Sequence, residues 1–156
     1  MQDCKKVMST LMKTELEDLS TALLEQRELL QALRSGSALR AARLTGMPKA
    51  PHGSGRFRFE SDRIAAIITT ENKIHRLEDD IRERIAVIRD HSDEVRNAAQ
   101  KVRLLNLRYL HGREWGDVLA ALYGSQGDFL QRRESYRRSM FRMLDAACAE
   151  VWLYWR

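Results

Sequence analysis

The sequence predicts an all-α protein: a long antiparallel, coiled-coil-like helical hairpin over residues 1–91 and a smaller helical domain over residues 92–156. Three observations lead there. Only two prolines and eight glycines occur in 156 residues, so little interrupts helix. Apolar residues recur in steps of three and four across two long stretches, which is the spacing of one helix face. Nowhere does the chain show the polar–apolar alternation of a half-buried strand.

The first helix is read from Leu11 to Arg34. Met12, Leu16, Leu19, Leu23, Leu30 and Leu33 form its seam, with Gln26 in the one polar slot. Such a seam buries a narrow stripe against another helix, and a lone polar residue within it fixes register at a cost in stability. Residues 35–60 hold both prolines, Pro48 and Pro51, and four of the eight glycines. A flexible connection is expected there, with a short helical turn around Leu39 to Leu44.

The second helix is expected to start at Ser61 as N-cap, with Asp62 in the first turn. Its stripe is Ile64, Ile67, Ile74, Leu77, Ile81, Ile85 and Ile88, widened by Ile68. Two striped helices joined by a loop form an antiparallel hairpin. A hairpin alone has little core, so pairing into a homodimer or higher oligomer is expected, with the β-branched stripe as candidate seam.

From Ser92 the pattern changes. A helix capped by Ser92 or Asp93 is expected to close at Gly112. A short helix in "REWGDVLAALYG" ends at Gly124, "SQGDF" makes a turn, and a last helix follows, with a break near Glu134–Ser135. A supporting helix, a short helix, a turn and a basic helix is the order of a helix-turn-helix unit, whose second helix enters the major groove of DNA.

Charge agrees with that order. The formal net charge is +5 and the pI about 9.5, which permits a polyanionic partner. Between Arg96 and Arg142 lie ten basic and four acidic residues, so the positive character sits in the C-terminal third. Turning the last helix at 100° per residue gathers Tyr136, Met140, Met143, Leu144, Ala147 and Val151 on a core face. Arg138 and Arg142 fall opposite, Arg137 on the flank, and Arg133 and Ser135 near the start. The planar arginine fork bonds guanine bidentately and phosphate strongly. These five residues are the candidate DNA-binding set.

Other chemistries lack their residues. His52, His75, His91 and His111 are scattered and no His/Cys pair has metal-ligand spacing. Glu78, Asp79, Asp80 and Glu83 read as a solvated helix face with arginine partners nearby. Gly53 and Gly55 lie in a proline loop, not between a strand and a helix. No nucleophile–base order is visible, so no enzyme, no cofactor, no metal and no small-molecule substrate are expected. Cys4 and Cys148, near opposite ends, make no disulfide framework. No apolar run nears the ~20 residues of a membrane span, and no secretory signal is seen, so a cytoplasmic location is expected. Trp152 and Trp155 are expected to close the core or to pack against the hairpin or a second subunit, rather than to anchor at a membrane surface.

The segment "LLNLRYLHGREWGDVLAAL" resembles the start of sigma-70 region 4-like domains, specifically those of the small ArpU-like late-gene regulators of phages and prophages. The matching residues are Leu104, Leu105, Leu107, Arg108, Tyr109, Gly112, Trp115, Val118, Leu122 and Ser125. The resemblance spans roughly residues 10 to 150, its coiled part being the less specific. It implies sequence-specific binding of double-stranded DNA and transcription regulation, with RNA polymerase as a further partner. It also implies core roles for Leu104, Leu107, Tyr109, Trp115, Val118 and Leu122, and a recognition surface from Ser135 to Arg142. Two departures stand out: Leu119 occupies a position where a small residue is expected, and the turn "GSQGDFLQRRES" is long. Two other function classes fit the same residues. One is a coiled-coil phage assembly or adaptor protein whose arginines meet acids of another protein. The other is a small DNA-packaging, terminase-like subunit.

Overall fold

Every regular element is helical in the computed structural model, which describes residues 2–36 and 55–155. Helix α1 spans Gln2–Ser35 and α2 spans Gly55–Asp90. Then come α3 (Ala98–Leu105), a π-helical segment (Asn106–Leu110), α4 (Trp115–Tyr123) and α5 (Arg133–Trp155). The prolines and the expected turn at Leu39 to Leu44 lie outside the described residues. The chain gathers into two compact units, one of Thr21–Glu78 and one of Met1–Ser20 with Asp79–Arg156.

Within Thr21–Glu78 the helices run antiparallel. Arg34 pairs with Glu71 at 2.6 Å and Arg27 with Glu78 at 3.1 Å, so partners step up one helix as they step down the other. The end of α1 leaves carbonyls without intrahelical donors. Arg63 meets them, its Nε donating to the Leu33 carbonyl at 2.8 Å and its Nη2 to that of Arg34. Leu23, Leu33 and Ile74 are its buried apolar residues among those described. Thr70 joins them, its hydroxyl satisfied by the Ala66 carbonyl at 2.8 Å. Gln26, the polar member of the seam, holds its Oε1 buried with no hydrogen-bond partner among the described residues. Ile64 and Ile68 are exposed.

The other unit has a deeper core. Met12 and Leu16 from α1, and Ile81, Ile85 and Ile88 from α2, are buried in it. So are Leu104, Leu105, Tyr109, Leu110, Val118 and Leu119 from the middle elements, and Met140, Leu144, Ala147, Cys148 and Val151 from α5. Helices α3, α4 and α5 pack on one another. Lys101 is buried and its Nζ donates to both Glu150 oxygens at 2.8 Å. Arg84 pairs with Glu15 at 2.7 Å and lies over the Trp155 ring at 4.8 Å. Tyr154 stacks on His91 with centroids 4.1 Å apart and donates to Glu94 at 3.0 Å.

Several features differ from the sequence reading. Helix α1 opens at Gln2, nine residues before Leu11, since residues 2–10 contain neither proline nor glycine. Helix α2 opens at Gly55, not at Ser61; no proline follows Pro51, and arginine, phenylalanine and glutamate all accept helix. The third helix opens at Ala98, not at Ser92 or Asp93. The intervening segment is rich in Ser, Asp and Asn, which favour turns, and Asn97 adopts a left-handed conformation at φ 56°. The last helix is unbroken from Arg133 through Ser135, since no glycine or proline interrupts it.

The middle of the unit departs from α-geometry. Over Asn106–Leu110 the turn widens to π, where residues five apart fall in line. Leu104 with Tyr109, and Leu105 with Leu110, are such pairs, and all four are buried. Gly112 then reverses the chain at φ +65°, a conformation that costs glycine little.

Candidate nucleic-acid interface

Helix α5 has two unlike faces. Met140, Leu144, Ala147, Cys148 and Val151 are buried, with Tyr136 and Met143 half-buried beside them. Burial pushes the Cys148 thiol up to about 12, which makes it a core group and not a nucleophile. Burial likewise raises the Tyr109 hydroxyl well above its ordinary value. That hydroxyl has no hydrogen-bond partner among the described residues.

All five candidate residues are exposed: Arg133, Ser135, Arg137, Arg138 and Arg142. They do not form one cluster. Ser135, Arg138 and Arg142 follow one another at helical steps on the face turned away from the buried residues. Neither Arg138 nor Arg142 forms an ion pair with a described residue.

Arg133 and Arg137 project on the other side, over the start of α4. They line a cleft there with Trp115, Gly116, Glu134 and Met140. An Arg133 Nη2 lies 3.9 Å from where a Cβ on Gly116 would be, so the glycine leaves room for it. Arg137 approaches Glu134 at 4.0 Å and lies over the Phe141 ring at 5.7 Å. Phe141 meets Trp115 with centroids 5.1 Å apart, and Arg108 covers the Trp115 ring at 4.6 Å. Arg108 also faces Glu17 at 3.6 Å and donates to the Arg113 carbonyl at 3.0 Å. Trp115 thus sits half-buried between cations and an aromatic ring.

The segment between α4 and α5 is fixed by aromatic packing. Tyr136 stacks on Tyr123 with centroids 5.0 Å apart and faces Phe129 at 6.3 Å. Its hydroxyl donates to Asp128 Oδ1 at 2.5 Å. That bond holds the Asp128 carboxyl below its ordinary range and raises the Tyr136 hydroxyl. Arg132 N–H donates to the Asp128 carbonyl at 2.9 Å, leading the chain into α5. The long turn is therefore tied at both ends to residues of the helices it joins.

Of the residues assigned to the core by resemblance, Leu104, Tyr109 and Val118 are buried, while Leu107, Trp115 and Leu122 are half-buried. Leu119 is itself buried. Lys5, Lys6 and Lys13, which no sequence motif singles out, line a cleft against α5 although they precede it by more than a hundred residues. Only their chain number was visible in the sequence, not their neighbours. Among the described residues no group of three or more His, Cys, Asp or Glu side chains is placed to hold a metal ion, and no helix is long and apolar enough to cross a membrane. No family model, curated protein or solved structure matches this chain.

Proposed function

We propose that the protein is a sequence-specific DNA-binding regulator of the phage or prophage type, with α4, the braced turn and α5 acting as a helix-turn-helix. The observation that carries this is the outward face of α5. Ser135, Arg138 and Arg142 stand exposed in the first half of a helix whose opposite face is buried, with both arginines free of ion pairs to described residues. Helices that read the major groove contact base edges through their N-terminal residues. In this reading Arg138 and Arg142 meet guanine edges or phosphates, and Ser135 bonds beside them. Arg133 and Arg137 contact the backbone from the α4 side. Phosphate contacts supply most of the affinity, and base contacts the selectivity.

The homodimer belongs to the same proposal, since two copies read two half-sites. Ile74, Ile81, Ile85 and Ile88 are buried within the single chain, which leaves Ile64 and Ile68 as the outward members of the isoleucine stripe. RNA polymerase as a partner rests on the resemblance alone.

The test is fluorescence anisotropy of a labelled duplex titrated with protein at several salt concentrations. Binding that weakens steeply with salt is expected. After selection of a preferred site, Arg138→Ala with Arg142→Ala should cost about 1–3 kcal/mol per lost base contact, with weak non-specific binding retained. Absence of binding at low salt would overturn the proposal in favour of an assembly or adaptor protein.

A further inference from the structure

The arginine face of α5 does not end at Arg142. Rotation at 100° per residue keeps Asp145 and Ala146 in the same sector as Ser135, Arg138 and Arg142. Ala146 lies one turn beyond Arg142, so the two are neighbours on the surface. At Asp145 and Ala146 the face meets α1: Lys5, Lys6, Ser9 and Lys13 line a cleft of about 380 Å³ against them.

The charges in this cleft are unequally used. Asp145 is engaged by the Lys13 ammonium and by the Ser9 hydroxyl at 3.5 Å. Lys5 and Lys6 are exposed and form no ion pair with a described residue. One acid is thus neutralised by one lysine, and two further cations remain on the rim. The face carries unpaired arginines over its first half and unpaired lysines at its far end.

We infer that Lys5 and Lys6 contact backbone phosphates of the same duplex that α5 reads, extending the interface with residues from the opposite end of the chain. This rests on the DNA-binding reading. The dimensions agree with it. From Arg138 to Ala146 the axis advances roughly 12 Å at 1.5 Å per residue, comparable with the ≈ 12 Å width of the major groove. With Ser135 to Arg142 in the groove, the cleft lies at its rim, where the phosphates run. Lysine suits that position, being a point charge on a flexible stem that needs no fixed approach angle. Ala146, with its small side chain, leaves the rim open to a strand.

The test measures the salt dependence of duplex binding for the full chain and three double variants, each checked for unchanged helicity by circular dichroism. The probe is a labelled random-sequence duplex. Lys5→Gln with Lys6→Gln should flatten the slope of log K against log salt by between one and two units, at about 0.9 per phosphate contact. Lys73→Gln with Arg76→Gln removes the same formal charge from exposed positions elsewhere and should leave the slope within error of the parent. Arg138→Ala with Arg142→Ala should flatten it as well. An unchanged slope in the Lys5/Lys6 variant, or an equal change in the Lys73/Arg76 variant, overturns the inference while the parent still binds. If the parent binds no duplex at low salt, the DNA reading itself fails and the lysine assignment falls with it.

Discussion

Residues 21–78 and the larger unit of residues 1–20 with 79–156 are built partly from the same two helices, yet their interiors differ. In the first, Leu23, Leu33 and Ile74 are the buried apolar residues among those described, and they share the stripe with Thr70 and with Gln26, whose Oε1 has no partner among the described residues. In the second, α1 and α2 supply Met12, Leu16, Ile81, Ile85 and Ile88 to a core that three further helices complete. The heptad-like pattern is continuous along α1, so helix sequence does not make the difference. Two helices alone enclose one line of side chains, whereas several layers enclose a volume. Stability per residue should follow enclosure.

Truncation should separate the two regions most widely. Leu104→Ala opens a hole in a fully enclosed site and should cost about 4 kcal/mol, whereas Ile74→Ala, at a site able to relax towards solvent, should cost about 2 kcal/mol. Urea denaturation gives the totals. Hydrogen exchange shows whether amides of residues 21–78 open before those of the larger unit, as expected. Equal costs and equal protection would erase the comparison.

A smaller effect tests the buried polar atoms. Gln26→Leu and Tyr109→Phe each remove an oxygen with no partner among the described residues. Each should raise stability by about 1 kcal/mol, and Gln26→Leu by somewhat more because it adds apolar area in the seam. A thermal midpoint that falls in either variant would mean that the oxygen is satisfied in solution. Gln26→Leu also removes the seam's polar register mark, so its oligomeric state should be measured alongside.

The smallest effect concerns pH. Tyr136 holds the Asp128 carboxyl below its ordinary value, so the folded protein favours the carboxylate. This contribution is fully present above the unfolded value of about 3.9, and is lost as pH falls through the lower folded one. The stability gap between the parent and Tyr136→Phe should therefore narrow in acid. A gap that stays constant from pH 7 to pH 2 would show that ring stacking on Tyr123 and Phe129, and not the hydrogen bond, fixes the turn.

The helical class was legible because helix periodicity is a local property. The seam residues Met12, Leu16, Leu23 and Leu33, and the core face of α5, were readable for the same reason. Helix starts were less so. Ser61 has the chemistry of a cap but lies inside α2, because propensity does not say which of several permissible starts is used. For the candidate site, exposure of Ser135, Arg138 and Arg142 follows from rotation about one axis. The turning of Arg133 and Arg137 towards Trp115 depends on where α4 packs, and the company of Lys5 and Lys6 depends on a contact across most of the chain. Neither distance is written in local pattern.

The π-helical turn after Leu105 carries a consequence for phase. A chain counted in threes and fours gains one residue there, so positions beyond it slip by about 100° relative to an unbroken α-helix. Arg108 owes its place to that slip: an α-helix would set it one turn beyond Leu104, facing inward, whereas here it lies half-buried over the Trp115 ring. Deleting Asn106 or Leu107 would let ordinary winding return with Tyr109 and Leu110 four residues after Leu104 and Leu105, still on the buried face, whereas α-winding of the full-length segment would turn Arg108 inward. The widened turn thus takes up one extra residue and keeps Tyr109 and Leu110 inside.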